Sequence, residues 1–164
     1  MKIGIISDTH DQKSLIGKAV AVFHKHDIHR IFHCGDVTSL ASIQWFCEFQ
    51  IALSFGNGDI LTGEIHQFLK SCNPNNQTGF QVEAELTGKR IGMTHSHLPD
   101  IVDKMVETQA YDYIFFGHTH MRSSQLNGKT RLINPGASGG LSKQSSSVCI
   151  LDLEKDIILF EDLE

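Results

Sequence analysis

Short apolar runs alternate with stretches of helical periodicity along the first half of the chain. The runs at 2–7, 29–35 and 51–57 are bounded by polar residues, which predicts buried strands. Apolar side chains three and four positions apart predict helices between and after them. These helices begin near Gln12, span 39–49 with Thr38 or Ser39 as the N-cap, and include Ile65, Phe68 and Leu69. Strands that alternate with helices indicate parallel strands joined by crossover helices.

The second half of the chain is richer in hairpins. The alternating segment "FQVEAEL" and the apolar run "RIGMTH" flank a turn at "TGKR", and Asn127-Gly128 lies between two further short strands. A helix near 98–107, a strand in "YDYIFFG" and a last hairpin around Glu154-Lys155 complete the pattern, and 72–79 and 136–147 are predicted as open loops. We therefore expect two packed sheets, the first half parallel-rich and the second hairpin-rich, with helices outside.

Length and composition restrict the class of protein. The chain has 164 residues, 40% of them hydrophobic and 20% charged, with a net charge of -5. The length predicts one domain over residues 1–164. The negative net charge argues against a protein that binds nucleic acid electrostatically, although a small nucleotide-type substrate stays open. The apolar run at the N-terminus is too short for a signal peptide or a membrane span. The four scattered cysteines favour a reducing, cytoplasmic location, and homo-oligomerisation is left open.

Polar side chains follow five of the predicted strands, at the point where each strand ends. They are Asp8, His10, Asp36, Asn57, His95, His118 and His120. Any one of them alone would be read as a turn residue. Because the carboxyl ends of parallel strands are where sites form in α/β sheets, the set of five ends predicts one shared site.

The types of these side chains indicate a pair of metal ions. Carboxylate, imidazole and amide oxygen without thiolate suit Mn²⁺, Fe, Zn²⁺ or Ni²⁺. Seven ligands are too many for one such ion and suffice for two if one carboxylate bridges. Two cations against two aspartates leave a positive site that suits a phosphoryl oxyanion, and a metal pair lowers the pKa of a bridging water.

Six short motifs carry a family resemblance. "DTH" at 8–10, "GD" at 35–36, "GN" at 56–57, "THSH" at 94–97, "GHTH" at 117–120 and "NPGAS" at 134–138 resemble the calcineurin-like metallophosphoesterases, and among them the small YfcE-like phosphodiesterase group. The resemblance implies a four-layer αββα sandwich in which two mixed β-sheets are flanked by helices. It also implies that "NPGAS" and Lys143 border the mouth of the site.

The resemblance also implies roles for the individual ligands. Asp8, His10, Asp36 and His120 would hold one metal; Asp36, Asn57, His95 and His118 would hold the other, with Asp36 as the bridge. The implied enzyme is a dinuclear metal-dependent phosphodiesterase acting on a small-molecule phosphoester, with a metal-bridging hydroxide as nucleophile. Two divalent ions are expected as cofactors, Mn²⁺ preferred over Ni²⁺, Fe or Zn²⁺, and the catalytic residues are Asp36, Asn57 and His97.

Two positions depart from the family pattern. Many members of the wider superfamily read "GNH", and that histidine protonates the leaving group. Here the stretch is "GNGD", so Gly58 takes the place of the histidine and the general acid is unassigned. Ser96 stands where glycine is usual, and because serine is small we expect little effect.

Several further side chains have two interpretations. His97 is either a substrate-binding or acid residue or a polar loop histidine, with neither favoured. Asp59 either orients a metal ligand or caps the next helix, and the cap is slightly preferred. His33 is interpreted as a strand residue rather than a ligand, and Trp45 with its aromatic neighbours as part of the core.

Two non-enzymatic alternatives accompany the hydrolase hypothesis. The retromer subunit of the same superfamily uses this fold as a protein-binding platform, typically with an eroded metal set. This chain keeps every expected ligand, which favours the enzyme. A metal-storage or sensor domain would need neither an open coordination site nor a response to phosphate.

Overall fold

The computed structural model describes residues 1–140 and 144–163, which form two β-sheets and their flanking helices. The strands are β1 Lys2–Ile6, β2 Arg30–His33, β3 Gln50–Ser54, β4 Gln77–Gly79, β5 Gln81–Leu86, β6 Lys89–Thr94, β7 Tyr113–Phe116, β8 Ser123–Asn127, β9 Thr130–Asn134, β10 Ser147–Asp152 and β11 Ile157–Asp162. The α-helices are α1 Lys13–Lys25, α2 Leu40–Ile43, α3 Thr62–Cys72 and α4 Ile101–Glu107; a 3₁₀ turn, Gln44–Phe46, follows α2.

Each sheet combines a parallel centre with antiparallel edges. The first sheet has the order β11-β10-β1-β2-β3-β4, in which β1 to β4 are parallel and the last hairpin pairs antiparallel with β1. The second has the order β5-β6-β7-β9-β8, in which β6, β7 and β9 are parallel and the hairpin partners β5 and β8 lie at the edges. The predicted class, two mixed sheets flanked by helices, is confirmed.

Apolar packing between the layers defines the sandwich. One core lies between the first sheet and α1 to α3, where Ile16, Phe23, Ile65 and Leu69 turn inward. A second core lies between the two sheets, and a smaller one packs α4 on the outer face of the second sheet. Phe32 of one sheet meets Phe115 of the other in an edge-to-face pair with ring centroids 5.2 Å apart. Such a pair contributes about 0.5–1.5 kcal/mol beyond its buried area.

Three details differ from the sequence-based expectations, and one expectation is not tested. The helix expected over 39–49 consists of four α-helical residues and a 3₁₀ turn, although Ser39 caps it by accepting a hydrogen bond from the amide of Ser42. The expected loop 72–79 contains β4, a short edge strand. Trp45 is 41% exposed and lies over Gly17 at the surface of α1, so its assignment to the core was wrong, whereas its neighbour Phe46 is buried. Lys143 lies outside the described residues.

Two of the four cysteines form a disulfide. Cys47 and Cys72 are bonded, with their Cα atoms 5.5 Å apart, and the bond joins the segment after the 3₁₀ turn to the end of α3. Cys34 and Cys149 are free thiols in the core. The bond departs from the expectation of reduced, scattered cysteines. The two residues are 25 positions apart in the chain, and the packing of α3 beside the 3₁₀ turn brings them together.

Candidate metal centre

The carboxyl ends of the parallel strands from both sheets meet at one edge of the sandwich. Two hydrogen bonds cross from sheet to sheet at this edge. His95, after β6, donates through Nδ1 to the carbonyl of Cys34, after β2, at 2.7 Å. The amide of His118, after β7, donates to Oδ2 of Asp8, after β1, at 3.1 Å. The shared site expected from the five strand ends is therefore built by the packing of the two sheets.

Five of the predicted ligands form a compact cluster of carboxylates and imidazoles. Oδ1 of Asp8 lies 3.8 Å, 3.9 Å and 3.2 Å from Nε2 of His10, His95 and His120, respectively. Oδ2 of Asp36 lies 3.7 Å from Nε2 of His10 and 3.5 Å from Nε2 of His95. Two groups with the spacing of a metal site result, one of Asp8, His10 and His120 and the other of Asp8, Asp36 and His95.

Two buried atoms in the cluster have no hydrogen-bond partner among the described residues. They are Oδ1 of Asp8 and Nε2 of His95, and both side chains are fully buried. Leaving such atoms unpaired typically costs about 1–3 kcal/mol each. Because the other ring nitrogen of His95 donates to a carbonyl, Nε2 carries a lone pair, and both atoms are suited to bind a cation. The residues present therefore fit divalent metal ions.

The remaining two predicted ligands lie at the solvent side of the cluster. The ring of His118 is exposed, and its centroid lies 5.1 Å from that of His95. Asn57 is exposed as well, and it stands between two glycines that both lie against Asp36. The amide of Gly58 donates to Oδ1 of Asp36 at 2.7 Å, which leaves Oδ2 turned toward the imidazoles. A Cβ on Gly56 would overlap the Asp36 carboxylate, so only glycine fits there.

The electrostatics of the cluster favour a charged Asp36. Burial would raise the pKa of this carboxyl, but the His95 imidazole, the Gly58 amide and the nearby His10 lower it to about 2. Burial would lower the pKa of His95, yet the carboxylates of Asp36 and Asp8 raise it. The two aspartates thus create a negative potential in the cluster, and that potential attracts cations.

The backbone is held in an uncommon conformation at most of these ligands. Positive φ angles of 43° to 69° occur at Asp8, His10, Asp36, His118 and His120. The left-handed region costs an L-residue on the order of 1 kcal/mol, although Asp and His tolerate it better than most. Strained backbone of this kind concentrates at functional sites, where it aims side chains that a relaxed turn would direct elsewhere.

His97 and His33 are the two further histidines near the cluster. His97 lies at the rim, with its ring centroid 5.4 Å from that of His95 and 6.4 Å from that of His118. Its Nδ1 is buried without a partner among the described residues, and burial together with the two neighbouring imidazoles lowers its pKa. His33 is a buried strand residue, as predicted.

Asp59 orients the site rather than capping the following helix. It accepts hydrogen bonds from the amides of Asp36, Thr38 and Gly56 at 2.8–2.9 Å. Helix α3 begins after Leu61 without a side-chain cap. The cap interpretation was therefore wrong.

One supporting residue was not identified from the sequence. Ser7 is fully buried and donates through its hydroxyl to Oδ2 of Asp8 at 2.6 Å, so that Oδ1 is the oxygen left for a cation. The last polar residue of an apolar run carries no distinctive signal, because Ser is common wherever a strand ends.

A family model and a curated relative both identify the chain as similar to phosphoesterases. The model of the calcineurin-like phosphoesterase superfamily domain matches residues 1–156. The phosphodiesterase MJ0936 of Methanocaldococcus jannaschii is 32% identical over 157 residues, which cover 94% of this chain and 95% of that protein.

Solved structures with the same fold include a phosphodiesterase, a phosphoesterase and Vps29. A structure described as a novel archaeal phosphodiesterase superposes with a TM-score of 0.93 at 31% identity, covering 99% of both chains. The phosphoesterase YfcE of E. coli has a TM-score of 0.70 at 20% identity over the whole of both chains. Vps29 of Chaetomium thermophilum has a TM-score of 0.74 at 14% identity, covering 98% of this chain and 96% of that one. The last two similarities concern the fold alone.

Proposed function

The chain belongs to the calcineurin-like phosphoesterase superfamily, and from this premise we propose that it hydrolyses phosphodiesters with two divalent metal ions held at the Asp–His cluster. The observation that carries the proposal is the pair of buried, unpartnered atoms, Oδ1 of Asp8 and Nε2 of His95, within the described residues. Both are directed at the other ligands of the cluster. A binding platform without metal would have no use for such a costly arrangement.

The proposed ligand sets are those implied by the family resemblance. His10 and His120 with Asp8 and Asp36 hold one ion; His95 and His118 with Asn57 and Asp36 hold the other. Asp36 as the bridge is supported by the position of Oδ2, which lies within 4 Å of one histidine from each set. Asp8 also belongs to both clustered groups, so its Oδ1 is a second candidate for a shared ligand.

The protein side chains prepare the site for phosphate. When bound, the ions would lower the pKa of a water that attacks phosphorus and would neutralise charge on the phosphoryl oxygens. The hydrogen bond to Cys34 fixes the His95 tautomer, and Ser7 and the Gly58 amide each occupy one oxygen of a ligating carboxylate. These contacts orient the ligands before substrate arrives. Mn²⁺ is the proposed ion, because the set combines carboxylates, imidazoles and an amide.

His97 is the proposed contact to the substrate. It lies beside two proposed ligand histidines, and burial together with these imidazoles lowers its pKa, which favours the neutral ring. A neutral imidazole can donate its single N–H to a phosphoryl oxygen or to the leaving oxygen. In the second role His97 would supply the proton that Gly58, which has no side chain, cannot donate.

The alternative of a protein-binding platform has one observation in its favour. Vps29 structures share the fold at 14% identity. The complete ligand set at the five strand ends distinguishes this chain from a platform with an eroded site. A metal-storage domain is also less favoured, because exposed His118 and Asn57 leave the cluster open to solvent.

The test is hydrolysis of bis-p-nitrophenyl phosphate after metal removal and reconstitution with Mn²⁺, Ni²⁺, Zn²⁺, Fe²⁺ or Mg²⁺. The wild-type protein should bind two ions per chain and turn over with at least one of them. Asp36→Asn and Asp8→Asn should each reduce the rate by at least about 100-fold. The aspartate that bridges is the one whose loss releases both ions.

The matched control is Asp27→Asn, which alters an aspartate on the surface whose side chain is 92% exposed. It should retain full activity and metal content. A wild-type protein that binds two ions and hydrolyses no phosphoester would contradict the proposal and support metal storage. A protein that binds none would support the platform.

A further inference from the structure

Phe80 is an aromatic side chain at the surface that nonetheless has a fixed position. It connects β4 of the first sheet to β5 of the second, and it is 53% exposed. Its ring packs edge-to-face on Phe55, with centroids 5.8 Å apart. Its carbonyl accepts a hydrogen bond from the hydroxyl of Thr94 at 3.1 Å, which ties the Phe80 backbone to β6, the strand that precedes His95. One part of the ring is thus anchored, and the rest faces solvent.

The exposed ring lies next to the metal centre. Its centroid is 6.3 Å from that of His97, and the ring of His97 is in turn 5.4 Å from that of His95. A single imidazole therefore separates Phe80 from a metal ligand. Leu98, directly after His97, is 43% exposed. Scattered apolar residues on a surface need no explanation, but an anchored aromatic ring beside a cluster of ligands is a typical feature of a binding site.

The position of the Phe80 ring, beyond His97 from the ligand cluster, restricts which part of a bound substrate can contact it. A substituent bonded directly to the phosphate would lie against the metal ligands and His97. Because the Phe80 ring lies beyond His97, with the two centroids 6.3 Å apart, a planar group that stacks on it must be separated from phosphorus by a spacer such as a sugar. Nucleobases meet this description, and every base has a π-face that stacks on an aromatic side chain.

We propose that Phe80 is the base-stacking surface of the site and that the preferred substrates are small nucleotide diesters. The inference rests on the proposed phosphodiesterase function and assigns the substrate class. It is consistent with the negative net charge of the protein, because a single nucleotide needs a stacking surface and a phosphate site rather than a basic groove. Phe80 is a specificity residue and takes no part in bond breaking.

The kinetic test uses two substrates with the same p-nitrophenolate leaving group. One is thymidine 5′-(p-nitrophenyl phosphate); the other is p-nitrophenyl tetrahydrofurfuryl phosphate, which keeps a sugar-like ring and lacks the base. Phe80→Ala should lower kcat/KM for the thymidine ester about 5- to 100-fold, the range of base–aromatic stacking. The loss should appear in KM. For the base-free ester it should change less than about 2-fold.

Two further variants exclude a merely structural effect. Phe80→Tyr keeps the ring and should restore the wild-type preference, whereas Phe80→Leu keeps apolar volume and should resemble Phe80→Ala. The control Leu126→Ala truncates another exposed side chain, on β8, at the end of the second sheet remote from the site. This variant should leave kcat/KM unchanged for both esters. Equal losses on the two esters in Phe80→Ala, or no loss on either, would overturn the proposal.

A binding measurement separates this inference from the proposed activity. Isothermal titration of the metal-loaded protein with thymidine 5′-monophosphate and with deoxyribose 5-phosphate requires no turnover. The nucleotide should bind about 5- to 100-fold more tightly to the wild type, and that preference should disappear in Phe80→Ala. Equal binding of both ligands to an active wild type overturns the stacking role alone. A wild type that is inactive on both esters but prefers the nucleotide overturns the phosphodiesterase proposal and retains the binding surface.

Discussion

The carboxylate of Asp59 accepts a hydrogen bond at 2.9 Å from the backbone amide of Asp36, a residue 23 positions earlier in the chain. The same carboxylate accepts hydrogen bonds from the amides of Thr38 and Gly56. One buried side chain thus joins the loop after β2, which carries Asp36, to the loop after β3, which carries Asn57. The relative position of these two proposed ligands depends on Asp59.

The first prediction concerns Asp59→Asn, which removes the charge and one of the two acceptor oxygens. At least one of the three amides should lose its partner, and the loop with Asp36 should loosen. Supporting residues of this kind typically contribute 10- to 100-fold to metal affinity, so we expect a loss of about that size. Titration calorimetry with Mn²⁺ measures it.

Asp27→Asn is the control here as well, and circular dichroism should show both variants folded. Unchanged Mn²⁺ affinity in a folded Asp59→Asn protein would mean that the loop is held by other contacts.

Sequence and structure agree where the information is local, and Asp59 shows where it is not. Apolar runs ending in Asp or His predict both the strands and the residues at their carboxyl ends. From the sequence, an aspartate shortly before a helix fits a helix cap as well as a residue that orients a ligand. The three amides that donate hydrogen bonds to Asp59 come from two different loops. The wrong assignment of Trp45 and the unexpected disulfide have the same cause, since both features depend on how α1, the 3₁₀ turn and α3 pack. The fold and the clustering of the candidate ligands could therefore be predicted, whereas the contacts between loops could not.

The second prediction follows from the burial of His33. Burial, together with electrostatic repulsion from His95 and His10, outweighs the attraction of Asp36 and lowers the His33 pKa to about 3. In the unfolded chain the pKa of histidine is near 6.5. The unfolded state therefore binds an additional proton as the pH falls below 6.5, and the folded state loses stability. The largest contribution of one such group is about 1.4 kcal/mol per pH unit.

His33→Gln should flatten this pH dependence. Glutamine can still accept the amide of Gly35 and donate to Thr9, the two partners of the ring. Urea unfolding of the metal-free proteins between pH 7 and pH 4.5 should show a smaller loss of unfolding free energy in the variant. Parallel curves would show that His33 does not contribute to the acid sensitivity.

The third prediction concerns the disulfide between Cys47 and Cys72. A crosslink that closes a loop of 25 residues stabilises a protein by about 3 kcal/mol, mainly through the unfolded chain. The double variant Cys47→Ser, Cys72→Ser should lose about this much unfolding free energy relative to the oxidised wild type. Reductant should lower the unfolding free energy of the wild type to the value of the variant and leave that of the variant unchanged. A wild type that is insensitive to reductant would argue against the crosslink in solution.

The last prediction concerns the proton that the leaving oxygen needs, with Gly58 in the position of the histidine that other superfamily members use. General acid catalysis typically contributes ~10²–10⁴-fold, and it matters little for a nitrophenolate, which leaves readily as an anion. Alkoxide leaving groups depend on it. We therefore expect activated aryl diesters to be cleaved far faster than dialkyl diesters. If His97 donates the proton, His97→Ala should slow alkyl substrates at least about 100-fold and p-nitrophenyl esters only a few-fold. Equal losses on both classes, measured as kcat with Mn²⁺ at saturation, would assign His97 to phosphate binding, and no loss on either would leave it a loop histidine at the rim.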